Sequence, residues 1–491
     1  MAPQPAVLTL DLGTSSCKGA LYSLTGARLA LASHDYPLDR PAPQLVEQHP
    51  QDYLDAARHV CRELSREAHR QGVSIACLGF STQTPTLVFC NAGGEALGPA
   101  ILWQDARADG QARSLNQIDE AKRRDWFGMD LPIGAASTPS KLLWMKANAP
   151  DLWRETRWVV QPKDYVAAHL TGRFATDRWC AKGLAHLETG QVHPEFLDLL
   201  GKEVPPSPPA LSPDAILGTV APHFAPDWGL PLGTPVSVGW SDALAGILAT
   251  GALHHSRRGF VLAGTSEIVG LSRSPASPAP GLYRVPPDLL DLQGLELHFG
   301  PTQAGGACLD WLAALLEKTP EQTLDLLDPA PATPLSPILF RPYLHGERAP
   351  YWDHQLSASF EGLRAEHHAP DLVHAVLQGV ALQERLVLEC AERELKAREV
   401  VLAGGAARHP RWNQLRADIL QRPVLLLSDP EASLRGAALL AWAALASFDL
   451  KHPPDPWFSA GQILPNPACQ SLATALFNRF CLRPAASDPS P

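Results

Sequence analysis

This sequence predicts an α/β protein of two lobes, and three observations carry the expectation. The tripeptide Gly-Thr-Ser closes an apolar run twice, at Gly13-Thr14-Ser15 and at Gly264-Thr265-Ser266. Each copy is preceded by one β-rich run and followed by another, the pattern of strand, tight turn and returning strand. The length, 491 residues with 45% hydrophobic and 19% charged, exceeds what one core usually serves. Glycine lets successive backbone N–H groups converge on one point, and the hydroxyls add donors, so each bend suits phosphate oxygens. An ordinary hairpin turn is the alternative for either copy alone. Two copies, one per half, point to two lobes gripping a polyphosphate, residues 1–253 and 254–491.

In order along the chain, residues 7–12, 19–22 and 28–33 read as an antiparallel meander, and residues 52–70 have helical periodicity. Strands at 75–81 and 86–90 follow, with Asn91-Ala92-Gly93-Gly94 as the next turn. A short strand at 158–162 leads into a helix over 163–170. The opening logic returns at Gly259, followed by helices at 308–316 and 371–396. In the second of these Leu372, Val373, Val376, Leu377, Val380 and Ala381 share one face. A strand running into Ala403-Gly404-Gly405-Ala406, a strand at 424–427 and a helix at 431–446 close the second half. Prolines cluster at 205–213, 274–287 and 329–337, where regular helix and central strand are excluded. Residues 484–491 read as a disordered end.

The net charge of −10, without any basic stripe, argues against a nucleic-acid partner. The longest apolar stretch, residues 436–448, is too short to span a bilayer, so no membrane partner is expected. Asp11 interrupts the only early apolar run and no charged leader precedes it, which does not fit a signal peptide. Nine cysteines, an odd number without a C-x-x-C pair, suit a reducing compartment, and a cytoplasmic protein is expected.

Neither a Walker loop nor a dinucleotide fingerprint occurs, so a nucleotide would have to be held by the two bends. Asp11 lies where a carboxylate could hold a magnesium ion against a triphosphate; a turn-capping aspartate is its alternative. Asp242 follows Val236-Ser237-Val238-Gly239-Trp240-Ser241 and opens an Ala/Gly-rich helix. Local sequence favours an N-cap there. The functional alternative is a general base taking a proton from an acceptor hydroxyl.

Asp11-Leu12-Gly13-Thr14-Ser15, Trp240-Ser241-Asp242, Ala263-Gly264-Thr265-Ser266, Gly346-Glu347-Arg348-Ala349-Pro350 and Ala403-Gly404-Gly405-Ala406 together resemble the motifs of the FGGY carbohydrate kinases. Trp103-Gln104-Asp105-Ala106-Arg107, Pro162-Lys163-Asp164-Tyr165 and Thr171-Gly172-Arg173-Phe174 extend the likeness. It runs from about residue 7 to residue 446 and is most similar to the xylulokinase branch. The resemblance implies an actin-like, ribonuclease-H-like fold of two lobes, with ATP and sugar in the cleft. It implies phosphorylation of a ketose such as D-xylulose at its terminal hydroxyl. Asp242 would be the catalytic base beside the sugar, Asp11 would hold Mg2+, and Thr14 with Ser15 would line the phosphate path. Gly264 and Thr265 would contact the terminal phosphates, while Gly404, Gly405 and Asn413 would flank the nucleoside. Glu347-Arg348 reads as a surface ion pair or as a loop ordering the cleft. A homodimer would accord with the resemblance.

One departure bears on the acceptor. The xylulokinase pattern has Gly-Gln-Met-His-Gly where this chain has Thr82-Gln83-Thr84-Pro85-Thr86. Gln83 is kept, but Thr84 and Pro85 stand for the Met-His pair expected to touch sugar. Losing that imidazole donor should change the acceptor. Trp103, Asp105 and Arg107 could supply sugar contacts or could be structural. Three readings therefore compete with a D-xylulose kinase. A kinase of glycerol or erythritol is one, suggested also by Ala349-Pro350-Tyr351-Trp352-Asp353. An actin-like ATPase without a sugar is the second, and a non-catalytic sugar sensor is the third. A sensor would have no reason to keep Asp11, Asp242 and both bends.

Overall fold

The computed structural model describes residues 3–129, 133–274, 279–290, 292, 294–327, 335–458 and 460–482. The proline-rich residues 329–334 and the expected disordered end at 484–491 lie outside these. The chain forms two compact units, neither continuous in sequence. The first takes Met1–Ala249, Pro286–Gln293 and Ala432–Trp457; the second takes Thr250–Val285, Gly294–Glu431 and Phe458–Pro491. A single boundary after residue 253 does not anticipate the return of residues 432–457 to the first unit. An Ala-rich helix carries no signal of which sheet it will cover. No described helix is long and apolar enough to cross a membrane.

The first unit is built on the strand Gln4–Leu12, whose residues 6–10 are all buried, which is why they read as a continuous run rather than an alternating one. It pairs antiparallel with Ser16–Ser23, and that strand pairs antiparallel with Arg28–Asp35. On its other side it runs parallel to Val73–Thr82, which runs parallel to Pro235–Ser237; Ile216–Thr219 closes the edge antiparallel. The helix Pro50–Arg70 starts on a proline, where a missing N–H costs nothing, and buries Tyr53, Leu54, Ala57, Val60 and Leu64. The helix Ala432–Ala444 packs on the strands Gln4–Leu12 and Val73–Thr82 and on the helix Asp242–Ala249. Gly436 makes the two helices' approach feasible: a Cβ there would run into the carbonyl oxygen of Ala245. A second, smaller core collects Phe89, Trp126, Phe127, Trp153 and Phe196.

The second unit repeats the same succession of strand senses. Arg258–Ala263 pairs antiparallel with Glu267–Arg273, which pairs antiparallel with Glu296–Pro301. On its other side Arg258–Ala263 runs parallel to Glu399–Ala403, and that strand parallel to Val424–Leu427; Ala460–Ile463 closes the edge antiparallel. Tyr283–Val285 adds a strand at the opposite edge, the only sheet position a proline-rich stretch tolerates. The long helix Ala369–Glu392 stops short of the expected residue 396, because Arg393 takes a left-handed φ of 50°.

Candidate active site

Asp11 lies at the carboxyl end of Gln4–Leu12, opposite Ser81 of the parallel neighbour. Ser81 Oγ donates to its Oδ1 at 2.8 Å, and Ser433 Oγ donates to its Oδ2 at 2.8 Å, so the carboxylate plane is held from two sides. Carboxyl ends of parallel strands are where open α/β sheets bind ligands. Ser81 is also in register with Trp240, and Thr82 with Ser241, which brings Asp242 to the same end of the sheet. Gly239 makes the preceding turn with a φ of 72°, and a Cβ there would collide with the carbonyl oxygen of Phe80.

Local sequence favours Asp242 as an N-cap, but Ser241 does that work: its Oγ accepts from Leu244 N at 3.2 Å. Asp242 is the first helical residue, half-buried, and its Oδ1 accepts from Ala243 N at 2.7 Å. Burial first, then the like charge of Asp11, push its carboxyl up to about 7; the Ala243 N–H and the Lys182 ammonium pull the other way. A carboxyl poised near neutrality suits a general base.

The first bend is tied into a polar web. Thr14 Oγ1 donates to Gln83 Oε1 at 3.2 Å and accepts from Trp103 Nε1 at 3.0 Å. Gln48 Nε2 donates to Thr14 O at 2.7 Å, and Gln48 Oε1 accepts from Gln83 Nε2 and Tyr53 Oη. Thr14, Gln83 and Trp103 are thus brought together, while Ser15 is exposed. Thr84 Oγ1 is buried without a hydrogen-bond partner. Asp105 is buried and spends both oxygens on protein: Oδ2 accepts from Val46 N at 2.7 Å, and Arg107 spans both. Arg107 also reaches Glu47 at 2.6 Å and lies over the Trp144 ring, so this pair braces the loop carrying Trp103.

Two buried side chains staple three segments together, one of which leads to Asp242. Gln161 Oε1 accepts from Thr86 N at 2.9 Å, and its Nε2 donates to Cys180 O at 3.1 Å. Lys163 Nζ donates to Asp164 Oδ1 at 2.6 Å and to Val238 O at 3.2 Å, and lies 3.1 Å from Asp177 Oδ2. Asp177 Oδ1 accepts from Trp179 N and Cys180 N, both at 3.0 Å. Burial alone would lower the Lys163 pKa, but the Asp164 and Asp177 carboxylates more than offset it and hold the ammonium charged.

In the second unit the bend at Gly264 follows paired strands whose ends match, Leu262 opposite Ala403. Gly264 O accepts from Gly306 N at 2.8 Å and Thr265 O from Ala307 N at 2.9 Å, so the bend is fixed on the start of the helix Gly306–Leu315. Arg416, fully buried, joins this bend to the Gly404-Gly405 turn. Its Nη2 donates to Glu267 Oε1 at 2.7 Å, its Nε to Glu384 Oε1 at 2.7 Å, and its Nη1 to Ala406 O at 3.0 Å. Asn413 is buried below the same turn, its Nδ2 donating to Ala407 O at 2.7 Å. Glu347 is no surface ion pair: it is fully buried, and its Oε1 accepts from Gln303 N and Arg348 N.

The model for the N-terminal domain of the FGGY family of carbohydrate kinases matches residues 6–249, and that for its C-terminal domain matches residues 259–445. The chain belongs to the FGGY family of carbohydrate kinases. The xylulose kinase of Lactococcus lactis is 28% identical over 466 residues, covering 90% of this chain and 88% of that one. A crystal structure of ligand-bound xylulose kinase from Lactobacillus acidophilus is 25% identical, with a TM-score of 0.87 and 97% of both chains covered. A gluconate kinase structure from the same organism gives the same TM-score, identity and coverage. The fold is thus the two-sheet, actin-like arrangement of this family, and the chemistry is phosphoryl transfer to an alcohol acceptor.

The residues that orient this kinase's groups were less legible than the groups themselves. Lys163-Asp164 stands out in the sequence as a motif, but only the fold shows it gripping Val238 and Asp177. Ser433 supports Asp11 from 422 residues away, a distance no local pattern spans. Ser81, Gln161 and Arg416 sit in runs whose composition is ordinary.

Proposed function

We propose that this kinase transfers the γ-phosphoryl group of ATP to the terminal hydroxyl of a ketose, D-xylulose, giving D-xylulose 5-phosphate and ADP. The observation that carries the reading is the raised, half-buried Asp242 carboxyl, sharing with Asp11 the carboxyl end of one sheet. Asp242 accepts the proton of the acceptor hydroxyl as its oxygen bonds to the γ-phosphorus and the bond from phosphorus to the ADP oxygen breaks. Thr14 and Ser15 are assigned to the phosphate path. In the second unit Gly264 and Thr265 are assigned to the terminal phosphates, and Gly404, Gly405 and Asn413 to the nucleoside. Gln83, Thr84 and Trp103 are assigned to the acceptor, with Asp105 and Arg107 bracing them.

Among the described residues no group of three or more His, Cys, Asp or Glu could hold a metal on its own. One serine-held carboxylate, Asp11, nevertheless fits magnesium, an ion usually carried by substrate phosphates and water with one or two protein carboxylates. Bound there, it would neutralise phosphate charge. Because Asp242 must be ionised to act, kcat/KM should fall as pH drops through about 7. An exposed aspartate would place that limb near about 4. A pH–rate profile still flat in the ordinary aspartate range would contradict this assignment.

Another acceptor within the same family is the second reading, favoured by Thr84-Pro85 and by the equal likeness to a gluconate kinase structure. A coupled ADP assay over D-xylulose, gluconate, glycerol, erythritol and no sugar separates the readings. D-Xylulose should give the highest kcat/KM; ADP release needing no sugar would support the ATPase reading instead. The double variant Thr84→Met, Pro85→His should shift the preference ratios by about tenfold or more, and unchanged ratios would remove this loop as a selectivity element.

A further inference from the structure

We propose that Lys182 is a substrate-binding residue of this kinase, its ammonium donating to an acceptor oxygen beside the hydroxyl that Asp242 deprotonates. The inference rests on the kinase reading above and deepens its acceptor side. Lys182 follows directly on the turn that Asp177 and Gln161 hold in place. Through Gln161 that turn is fixed to Thr86, next to the Thr84-Pro85 loop. Through Asp177 and Lys163 it is fixed to Val238, four residues before Asp242. These two staples tie the segment that carries Lys182 to the neighbour of the loop that lacks the expected imidazole and to the strand end that leads to the base.

The ammonium itself is unspent. Among the described residues it has no carboxylate within ion-pair distance and no hydrogen-bond acceptor; it rests only over the face of the Trp179 ring, 4.7 Å from its centre. Its neighbour Lys141 contrasts with it. That ammonium is fully buried and donates to the carbonyls of Pro85, Ile101 and Leu102, at 2.9, 3.4 and 2.7 Å, so it secures the loop and has no donor to offer a ligand. Lys182 is half-buried, close enough to Asp242, Asp177, Cys180 and Lys141 for each to act on its charge. Burial first pulls its pKa down, and Cys180, Asp177 and Asp242 pull the other way. A polyhydroxylated acceptor supplies oxygens next to the one phosphorylated. A donor aimed at one of them would replace the lost imidazole.

The test is the KM of acceptor and of ATP in the wild type, in Lys182→Met and in Lys182→Arg, with thermal midpoints recorded for each. Lys182→Met should raise the acceptor KM by about tenfold to a hundredfold, the range spanned by a hydrogen bond to a charged group, and leave the ATP KM unchanged. Lys182→Arg, keeping charge and donors, should recover part of the loss. Should the Met variant fail to fold, Lys182→Gln gives the same reading. A wild-type acceptor KM in a folded variant, or a loss confined to kcat or to the ATP KM, overturns the proposal. If D-xylulose is not turned over but gluconate, glycerol or erythritol is, the substrate reading falls and the same comparison is made with that acceptor. If none is turned over, both readings fall.

Discussion

Asp242→Asn should lower kcat for sugar phosphorylation by about 10²- to 10⁴-fold, the span that a positioned general base contributes. The substitution keeps shape and one acceptor oxygen for Ala243 N, and Ser241 rather than Asp242 caps the helix, so little of the loss should come from unfolding. Nucleotide affinity, measured by calorimetric titration of ATP, should stay close to wild type. A coupled ADP assay giving near-normal turnover in this variant would show that some other group removes the proton. Removing the carboxylate also removes the like charge facing Asp11, so a modest gain in thermal midpoint is compatible with the role, as strained functional groups often cost stability.

Lys163→Met carries the largest expected cost in stability. The ammonium is fully buried and is the counter-charge for two buried carboxylates, Asp164 and Asp177. Removing one partner of a buried ionic set typically destabilises by about 3–5 kcal/mol, because the remaining charge is left in a low-dielectric interior. Chemical denaturation of the first unit should show a loss of that order. The triple change Lys163→Met, Asp164→Asn, Asp177→Asn should recover part of it, since no uncompensated charge remains. If the single variant were as stable as wild type, Lys163 would not be the staple described above. Where the variant does fold, kcat/KM should fall as well, since Lys163 holds Val238 on the approach to Asp242.

Much of this architecture was legible in the chain because the signals were local and duplicated. The apolar runs before Gly13 and Gly264 read as strands because both faces of each are covered, and the repeated bend correctly marks two sheets. The structure adds that the two sheets share a whole succession of strand senses, not only an opening hairpin. Other features depended on partners far away in sequence. Asp242 looks like a helix cap until its neighbour Ser241 is seen to hold Leu244 N. Glu347-Arg348 is ambiguous as letters, because a buried carboxylate satisfied by backbone N–H groups has the same composition as an exposed ion pair. Asp105 and Arg107 were equally open. Only coordinates show that both oxygens of Asp105 are already taken.

The return of residues 432–457 to the first unit has a consequence for biosynthesis. More than about 430 residues must leave the ribosome before the sheet carrying Asp11 acquires this helical cover and the hydroxyl of Ser433. Until then the groove beside Gly79, filled at the end by Ala437 and Ala441, is left without that cover. Nascent chains therefore carry an unfinished first unit until residues 432–457 have emerged. Dividing the gene at the apparent boundary between halves would put the missing helix on the wrong polypeptide.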